Sequence, residues 1–379
     1  MKKVIVLGAG LVGKPMMMDL LRDKNLKVSI ADRSSELIEA ITNEFDVQGV
    51  VADLSNDAIV TKTIADHDYV INAVPGFMGM AVLKTILEAG KDVVDIAFSP
   101  EDLSPLNEIA VRNNATALVD FGVAPGLSHL MVSYASGIFD RLDKVRIFVG
   151  GLPKRRTKPF EYRAVFSPID VIEEYTRPAR LVEHGKTVVK EALTDIEELD
   201  FPVVGTLEAF NSDGLRSLVD SIKAEDMAEK TLRYPGHAQL MKTLREIGFF
   251  SQDKVNVNGI DIAPMDVTAK LVFPQWEMQE EDRDITIMKV YAEGPIDGIQ
   301  HRFEFDLFDE FDGTTGVHSM ARTTGYTATM GLRVLAAGLF KEKGVFYPEK
   351  LGTDKKILEM ILEGLKERKI QIQHQLYKI

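Results

Sequence analysis

Over the first 120 residues, short β-branched runs alternate with stretches whose apolar positions recur every three or four residues. Lys2 to Leu7 reads as a strand, Leu11 to Leu21 as an amphipathic helix and Lys27 to Ala31 as a second strand. The alternation continues with a helix from Ser34 to Phe45, capped by Ser34 or Ser35, and a strand from Val47 to Ala52. Ser55 is the expected cap of a helix reaching Ala65. Strands at Tyr69–Ala73, Asp92–Ala97 and Ala115–Phe121 enclose helices at Met78–Ala89 and Leu103–Asn113. Six strands joined by crossover helices predict a right-handed, mostly parallel sheet in the order 3-2-1-4-5-6.

The pattern changes after a helix at Leu127–Phe139 and a strand at Lys144–Val149. Strands are expected at Tyr162–Phe166, Ala179–Glu183, Lys254–Val257, Val267–Val272, Ile285–Glu293 and Ile299–Leu307, with helices at Ser217–Met227 and Ala238–Glu246. A long apolar helix, Val317–Ala337, and a helix at Lys355–Glu367 follow. The expected fold is therefore α/β: a Rossmann doubly wound parallel sheet with an inserted α+β substrate and dimerisation domain. The expected boundaries are 1–125, completed by roughly 316–379, and 126–315.

Chemistry enters at the first turn. Gly8-Ala9-Gly10-Leu11-Val12-Gly13 follows the first strand, and Asp32 ends the second strand 19 residues after Gly13. Strand, G-x-G-x-x-G loop, helix, strand and acid in that order form a dinucleotide-binding fingerprint. The first glycine permits the tight turn, the second lets the backbone approach a pyrophosphate, and the third lets helix and strand pack closely. Asp32 favours NAD, because a carboxylate accepts the ribose hydroxyls; Arg33 beside it keeps NADP open. Asp53, with Leu54, is placed at the adenine or beside a helix cap. Ala73-Val74-Pro75-Gly76 is expected to line the pyrophosphate and nicotinamide ribose.

The net charge of −13 argues against a nucleic-acid partner, which needs clustered Lys and Arg. With no cysteine, disulfides, thiolate catalysis and Cys-ligated zinc are excluded, and no metal site is expected. No apolar run reaches the roughly 18 residues of a membrane span. Lys2 enters a strand with no export signal ahead of it, so a cytoplasmic location is expected.

Longer motifs stand at Asp120-Phe121-Gly122-Val123-Ala124-Pro125-Gly126, Val149-Gly150-Gly151-Leu152-Pro153, Tyr162-Arg163-Ala164-Val165-Phe166, Thr231-Leu232-Arg233-Tyr234-Pro235-Gly236-His237 and Ser319-Met320-Ala321-Arg322. Together they resemble the saccharopine dehydrogenase-like oxidoreductases. Glu174-Tyr175-Thr176-Arg177-Pro178-Ala179 is similar to the lysine 6-dehydrogenase branch. The resemblance implies a homodimer, hydride transfer at a C–N bond, and a nicotinamide held by Val74-Pro75 and Asp95-Ile96-Ala97, facing Phe121. One position departs from the pattern: Ala124 stands where saccharopine-forming members carry Asp, which favours a smaller amine.

Amine oxidation needs a proton acceptor, and the groups suited to that work are Asp95, Asp120, Tyr162, His237 and His318. His237 and His318 also stand where helix-terminal residues would, and Asp120 where a carboxylate could brace a loop. Arg233 suits bidentate recognition of an α-carboxylate, with a buried ion pair as the alternative. The expected activity is NAD(P)-dependent oxidation of the terminal amine of L-lysine or a similar amino acid. The alternatives are a reductase condensing an aldehyde with an amine, of the saccharopine or carboxynorspermidine type, and a nucleotide-binding regulator without turnover.

Overall fold

The computed structural model describes residues 1–379, which divide into two compact units: Met1–Tyr134 with Ala321–Gln371, and Ala135–Met320 with Ile372–Ile379. The first unit holds β1 (Lys2–Leu7), β2 (Leu26–Asp32), β3 (Gln48–Val51), β4 (Tyr69–Asn72), β5 (Asp92–Asp95) and β6 (Thr116–Leu118). They lie parallel in the order 3-2-1-4-5-6, and a seventh parallel strand, Gly344–Phe346, pairs with β6. The side chains of Val4 to Leu7 are all inaccessible to solvent, as a parallel strand covered on both faces requires.

The helix that follows the glycine loop, Gly13–Leu20, is anchored from far along the chain. Its Asp19 is buried and pairs with Arg333 Nη1 at 2.7 Å and Arg368 Nε at 2.5 Å, while Thr329 Oγ1 donates to it at 2.6 Å. Two guanidinium groups and a hydroxyl outweigh the cost of burying this carboxylate and hold its pKa below the ordinary value. One cap differs from expectation. Asn56, not Ser55, caps helix Asp57–Ile64: its Oδ1 accepts from Ala58 N at 3.0 Å and Ile59 N at 3.2 Å.

The second unit contains β7 (Leu142–Pro153), β8 (Ala179–Glu183), β9 (Lys186–Lys190), β10 (Glu197–Phe201), β11 (Gly205–Asn211), β12 (Ala224–Arg233), a small hairpin of β13 (Val255–Val257) and β14 (Ile260–Ile262), β15 (Asp284–Ile296) and β16 (Ile299–Glu310). Counting Gly344–Phe346 as β17, the last strand is β18 (Ile372–Lys378). The main sheet runs β10-β11-β12-β7-β15-β16-β18 and is mixed, because β12 and β7 are parallel while the other neighbours are antiparallel. Helices Pro168–Thr176, His237–Ile247 and Pro264–Trp276 share a core with Phe210 of β11.

Four expectations are corrected here. Val267–Val272 is helical, inside Pro264–Trp276; Pro264 opens that helix, and its buried residues Met265, Thr268, Val272 and Trp276 recur at helical spacing. Ser217–Met227 is only a four-residue helix, Leu218–Ser221, before β12 begins, because Met227 to Arg233 are buried consecutively as a central strand. Tyr162–Phe166 is irregular, held at Ala164 N by the carbonyl of Trp276 at 2.8 Å. Residues 372–378, expected in the nucleotide domain, pair with β16 of the second sheet. No helix is long and apolar enough to cross a membrane.

Candidate active site

In the first unit the three loop glycines have separable roles. Gly8 has φ +97°, and a Cβ there would lie 2.6 Å from the carbonyl oxygen of Ala73. At Gly13 a Cβ would come within 1.9 Å of Gly8 O, so the helix can seat against the strand only without a side chain. A Cβ on Gly10 would meet nothing within 4 Å. The loop is thus tight at both ends and open in the middle, where a pyrophosphate would approach the backbone. Val12 precedes the first helical residue, and Leu11 is 52% exposed beside the opening. Asp32 Oδ2 accepts from Ala9 N at 2.8 Å and Oδ1 from Ser34 N at 3.0 Å. Its carboxylate therefore braces the loop, and the Arg33 side chain next to it is exposed. These residues fit a dinucleotide.

The other expected cofactor residues gather at the carboxyl ends of the same strands, with distinct tasks. Asp53 is exposed and accepts from Ser55 N at 3.0 Å and Ser55 Oγ at 2.7 Å, bonds that hold its pKa low. Ala73 N donates to Leu7 O at 2.9 Å. Val74 is buried, and Pro75 directly precedes helix Gly76–Glu88. Asp95 is buried and accepts from Asn72 Nδ2 at 2.5 Å and Ala97 N at 2.8 Å, while Ile96 N donates to Asn72 O at 3.0 Å. Asp95 thus locks the ends of β4 and β5 together. Asp120 is buried in a left-handed conformation, φ +53°. At two of the expected positions the side chain is taken up by packing: Leu54 belongs to the hydrophobic core, and the Phe121 ring lies fully buried where a Cβ on Gly331 would touch it. Either would meet a ligand through its backbone.

In the second unit the structure brings Tyr162, Arg233 and His237 into one buried cluster, completed by Glu174, Tyr175 and Trp276. Arg233 ends β12, and its guanidinium pairs with the Glu174 carboxylate on helix Pro168–Thr176. Arg233 Nη1 donates to Leu232 O at 2.9 Å, Nε reaches Tyr175 Oη at 3.4 Å, and the guanidinium lies 4.6 Å from the centroid of the Tyr162 ring. Burial disfavours the charge on Arg233, but Glu174, Tyr175 and Tyr162 outweigh it and raise its pKa. Burial raises Glu174 as well, against the pull of Arg233.

Gly236, at φ +95°, turns the chain so that His237 opens helix His237–Ile247. His237 Nδ1 lies 2.9 Å from the carbonyl oxygen of Phe160, so Nδ1 must carry the proton. Nε2 is then an acceptor, and Tyr175 O–H donates to it at 2.9 Å. Burial, reinforced by the Arg233 charge, lowers the His237 pKa to about 3. Tyr175 is pushed up by its own burial. The Tyr162 hydroxyl and Trp276 Nε1 are buried without hydrogen-bond partners, with ring centroids 5.3 Å apart. Beside this cluster, Glu229 is buried and accepts from Ser212 Oγ at 2.7 Å and Gly214 N at 3.0 Å; burial raises its pKa to about 8.

His318 lies elsewhere in the second unit. Its Nδ1 is 3.0 Å from Asp284 Oδ1, and Asp284 also accepts from Ser319 N at 2.7 Å and Met320 N at 2.9 Å. The pair caps helix Ser319–Ala336. Of the groups the sequence reading passed over, Glu174 and Tyr175 lie in a motif it quoted. Glu229 carries no sequence signal, since only the fold shows that it is buried.

A family model described as the saccharopine dehydrogenase NADP binding domain matches residues 4–118, and one described as the saccharopine dehydrogenase C-terminal domain matches residues 122–370. The protein is a two-unit α/β protein with an NADP-binding-type Rossmann sheet. It belongs to the saccharopine dehydrogenase family. It is 24% identical to the saccharopine dehydrogenase [NADP(+), L-glutamate-forming] of Schizosaccharomyces pombe over 72% of this chain and 64% of that one. It is 23% identical to the carboxyaminopropylagmatine dehydrogenase of Synechocystis over 93% of this chain and 94% of that one. The chain spans less than two thirds of the S. pombe relative. An apo saccharopine dehydrogenase (L-Glu forming) from Saccharomyces cerevisiae shares the fold, with a TM-score of 0.81 at 19% identity and full coverage of both chains.

Proposed function

We propose that the protein is an NAD(P)-dependent oxidoreductase that reduces the C=N bond between an aldehyde and an amine to a secondary amine, or runs the reverse reaction. The observation that carries this reading is the open Gly10 position between two sterically obligatory glycines, in a chain whose two parts match the NADP binding and C-terminal domains of saccharopine dehydrogenases. Bound NAD(P) would supply or accept the hydride at the carbon of that bond. Gly8 to Gly13 would hold the pyrophosphate, and Asp32 and Arg33 would meet the adenosine ribose.

In the second unit, Arg233 is the proposed carboxylate contact. Its side chain is 2% exposed and that of its partner Glu174 is 19% exposed, so an incoming carboxylate would reach Glu174 first and exchange with it on the guanidinium. Tyr175 and neutral His237 would keep the guanidinium oriented and form a donor–acceptor chain for a proton. The relatives, saccharopine and carboxyaminopropylagmatine dehydrogenases by name, favour this condensing reaction. Oxidative deamination of the terminal amine of lysine is the second reading, favoured by Ala124 in place of the Asp of saccharopine-forming members. A homodimer is proposed on the family resemblance, with the exposed edge strand β18 in need of cover.

The test is nicotinamide absorbance with two mixtures: NADPH with an aldehyde and a carboxylate-bearing amine together, and NAD with lysine alone. Oxidation of NADPH only when both organic partners are present supports the proposal. Turnover of lysine with NAD and none of the pair replaces it with the second reading.

A further inference from the structure

We infer that the first unit carries a second ligand site, for a phosphate-bearing small molecule, at the amino ends of its parallel strands. A cavity of about 530 Å³ opens there between β2, β3 and helix Asp57–Ile64. Lys3 and Lys27, each the second residue of its strand and register partners across β1 and β2, line it together with Lys62 of the helix. In a chain of net charge −13, three lysines converge here against a single acidic lining residue, Asp66.

None of the three ammonium groups makes a hydrogen bond or ion pair, whereas Lys2, Lys14 and Lys91 of the same unit all find partners. Deeper in the cavity wall, His67 and Ser29 are buried and hydrogen-bonded to each other, Nε2 to Oγ at 3.0 Å. The other ring nitrogen of His67 is buried with no partner. The carbonyl oxygens just past helix Asp57–Ile64, which would repel an anion, are neutralised. Lys91 Nζ donates to Ala65 O and to His67 O, both at 2.7 Å. Val51 and Ile59, exposed beside the lysines, supply an apolar wall.

Compact point charges around a small cavity suit a phosphate group, and the apolar wall suits a flat organic body attached to it. The lysines of β1 and β2 stand at the amino ends of those strands, opposite the Gly8–Gly13 loop, while the apolar wall runs along β3 to Val51 and Ala52, next to Asp53 at the carboxyl end, so the two sites are told apart by filling the dinucleotide site first. The inference is independent of which C–N reaction the protein performs.

The test uses protein saturated with NADPH, so that the dinucleotide site is filled. Pyrophosphate and AMP are titrated separately while the His67 ring signals are followed by NMR. Saturable binding of either probe is expected, with a rise in the His67 pKa, which burial now holds below its ordinary value. The Lys27→Gln/Lys62→Gln variant alters only exposed side chains and should weaken that binding at least tenfold, with NADPH affinity unchanged. Preference for AMP over pyrophosphate would assign the apolar wall to the ligand body. Unsaturable binding, or equal affinity in the variant, overturns the inference and leaves an adventitious ion only.

Discussion

The hydroxyl of Tyr175 stands 2.9 Å from Nε2 of His237 and donates to it as long as the imidazole is neutral. With the Phe160 carbonyl claiming the proton on Nδ1, a second proton on His237 would force Tyr175 to turn from donor to acceptor and place a cation beside Arg233. The folded-state pKa of about 3 lies below the ordinary 6.5, so unfolded chains bind the extra proton first as pH falls. Stability from this group is full above pH 6.5 and is lost progressively toward pH 3. His237→Gln should therefore show a flatter fall in urea-denaturation stability between pH 7 and 4.5 than the wild type. Parallel curves would mean that His237 is not held neutral by its surroundings.

Glu229 has the opposite sign. Its pKa of about 8 exceeds the ordinary 4.5, so the folded state holds a proton that the unfolded chain releases. Its contribution is full below pH 4.5 and declines as pH rises through 8. Glu229→Gln keeps an acceptor for Gly214 N and cannot ionise. The variant should match the wild type near pH 5 and surpass it at pH 8.5, by a thermal midpoint a few degrees higher.

Arg233 and Glu174 form a pair that neither can leave alone. Truncating one partner of a buried ion pair costs about 3–5 kcal/mol, because the other charge stays buried without compensation. Arg233→Ala and Glu174→Ala should each lower stability by that order, while Arg233→Met/Glu174→Leu recovers much of it. If Arg233 receives the substrate carboxylate, the double variant raises KM for carboxylate substrates sharply at unchanged NADPH affinity. A stable double variant with normal KM would make the pair purely structural.

The glycine loop separates folding from binding. Gly13→Ala places a methyl group where the Gly8 carbonyl oxygen already lies and should destabilise the first unit outright. Gly10→Ala meets nothing, so its melting temperature should stay within about a degree or two of the wild type, as for substitutions at unconstrained sites. Its NADPH dissociation constant should nevertheless rise at least tenfold, because the methyl occupies the approach of the pyrophosphate. Unchanged affinity would move the dinucleotide away from this loop.

The Rossmann half was legible because its signals are local: its parallel strands are short apolar runs, Gly8 and Gly10 sit at the first strand–helix turn, and Asp32 closes the second strand at a readable distance. Even there the reading erred where two local signals competed, as with Ser55 and Asn56 for one helix cap. In the second half the strands are central or mixed and the alternation fades. A buried strand such as β12 then carries the same composition as a helix, and Pro264–Trp276 reads as β-branched until its buried positions are counted at helical spacing.

The sequence by itself determined that a glycine loop with dinucleotide-binding spacing follows the first strand, and that the later motifs belong with the saccharopine dehydrogenase family. It could name Arg233, His237 and Tyr162, but not their partners. Only the tertiary structure decided that Glu174 occupies the guanidinium, that Tyr175 and Phe160 select one tautomer of His237, and that Glu229 is a buried acid. The physical reason is that ionisation and pairing depend on burial and on contacts between residues distant in the chain. Periodicity records which face of an element is apolar, and it carries no information about which charge lies across from it.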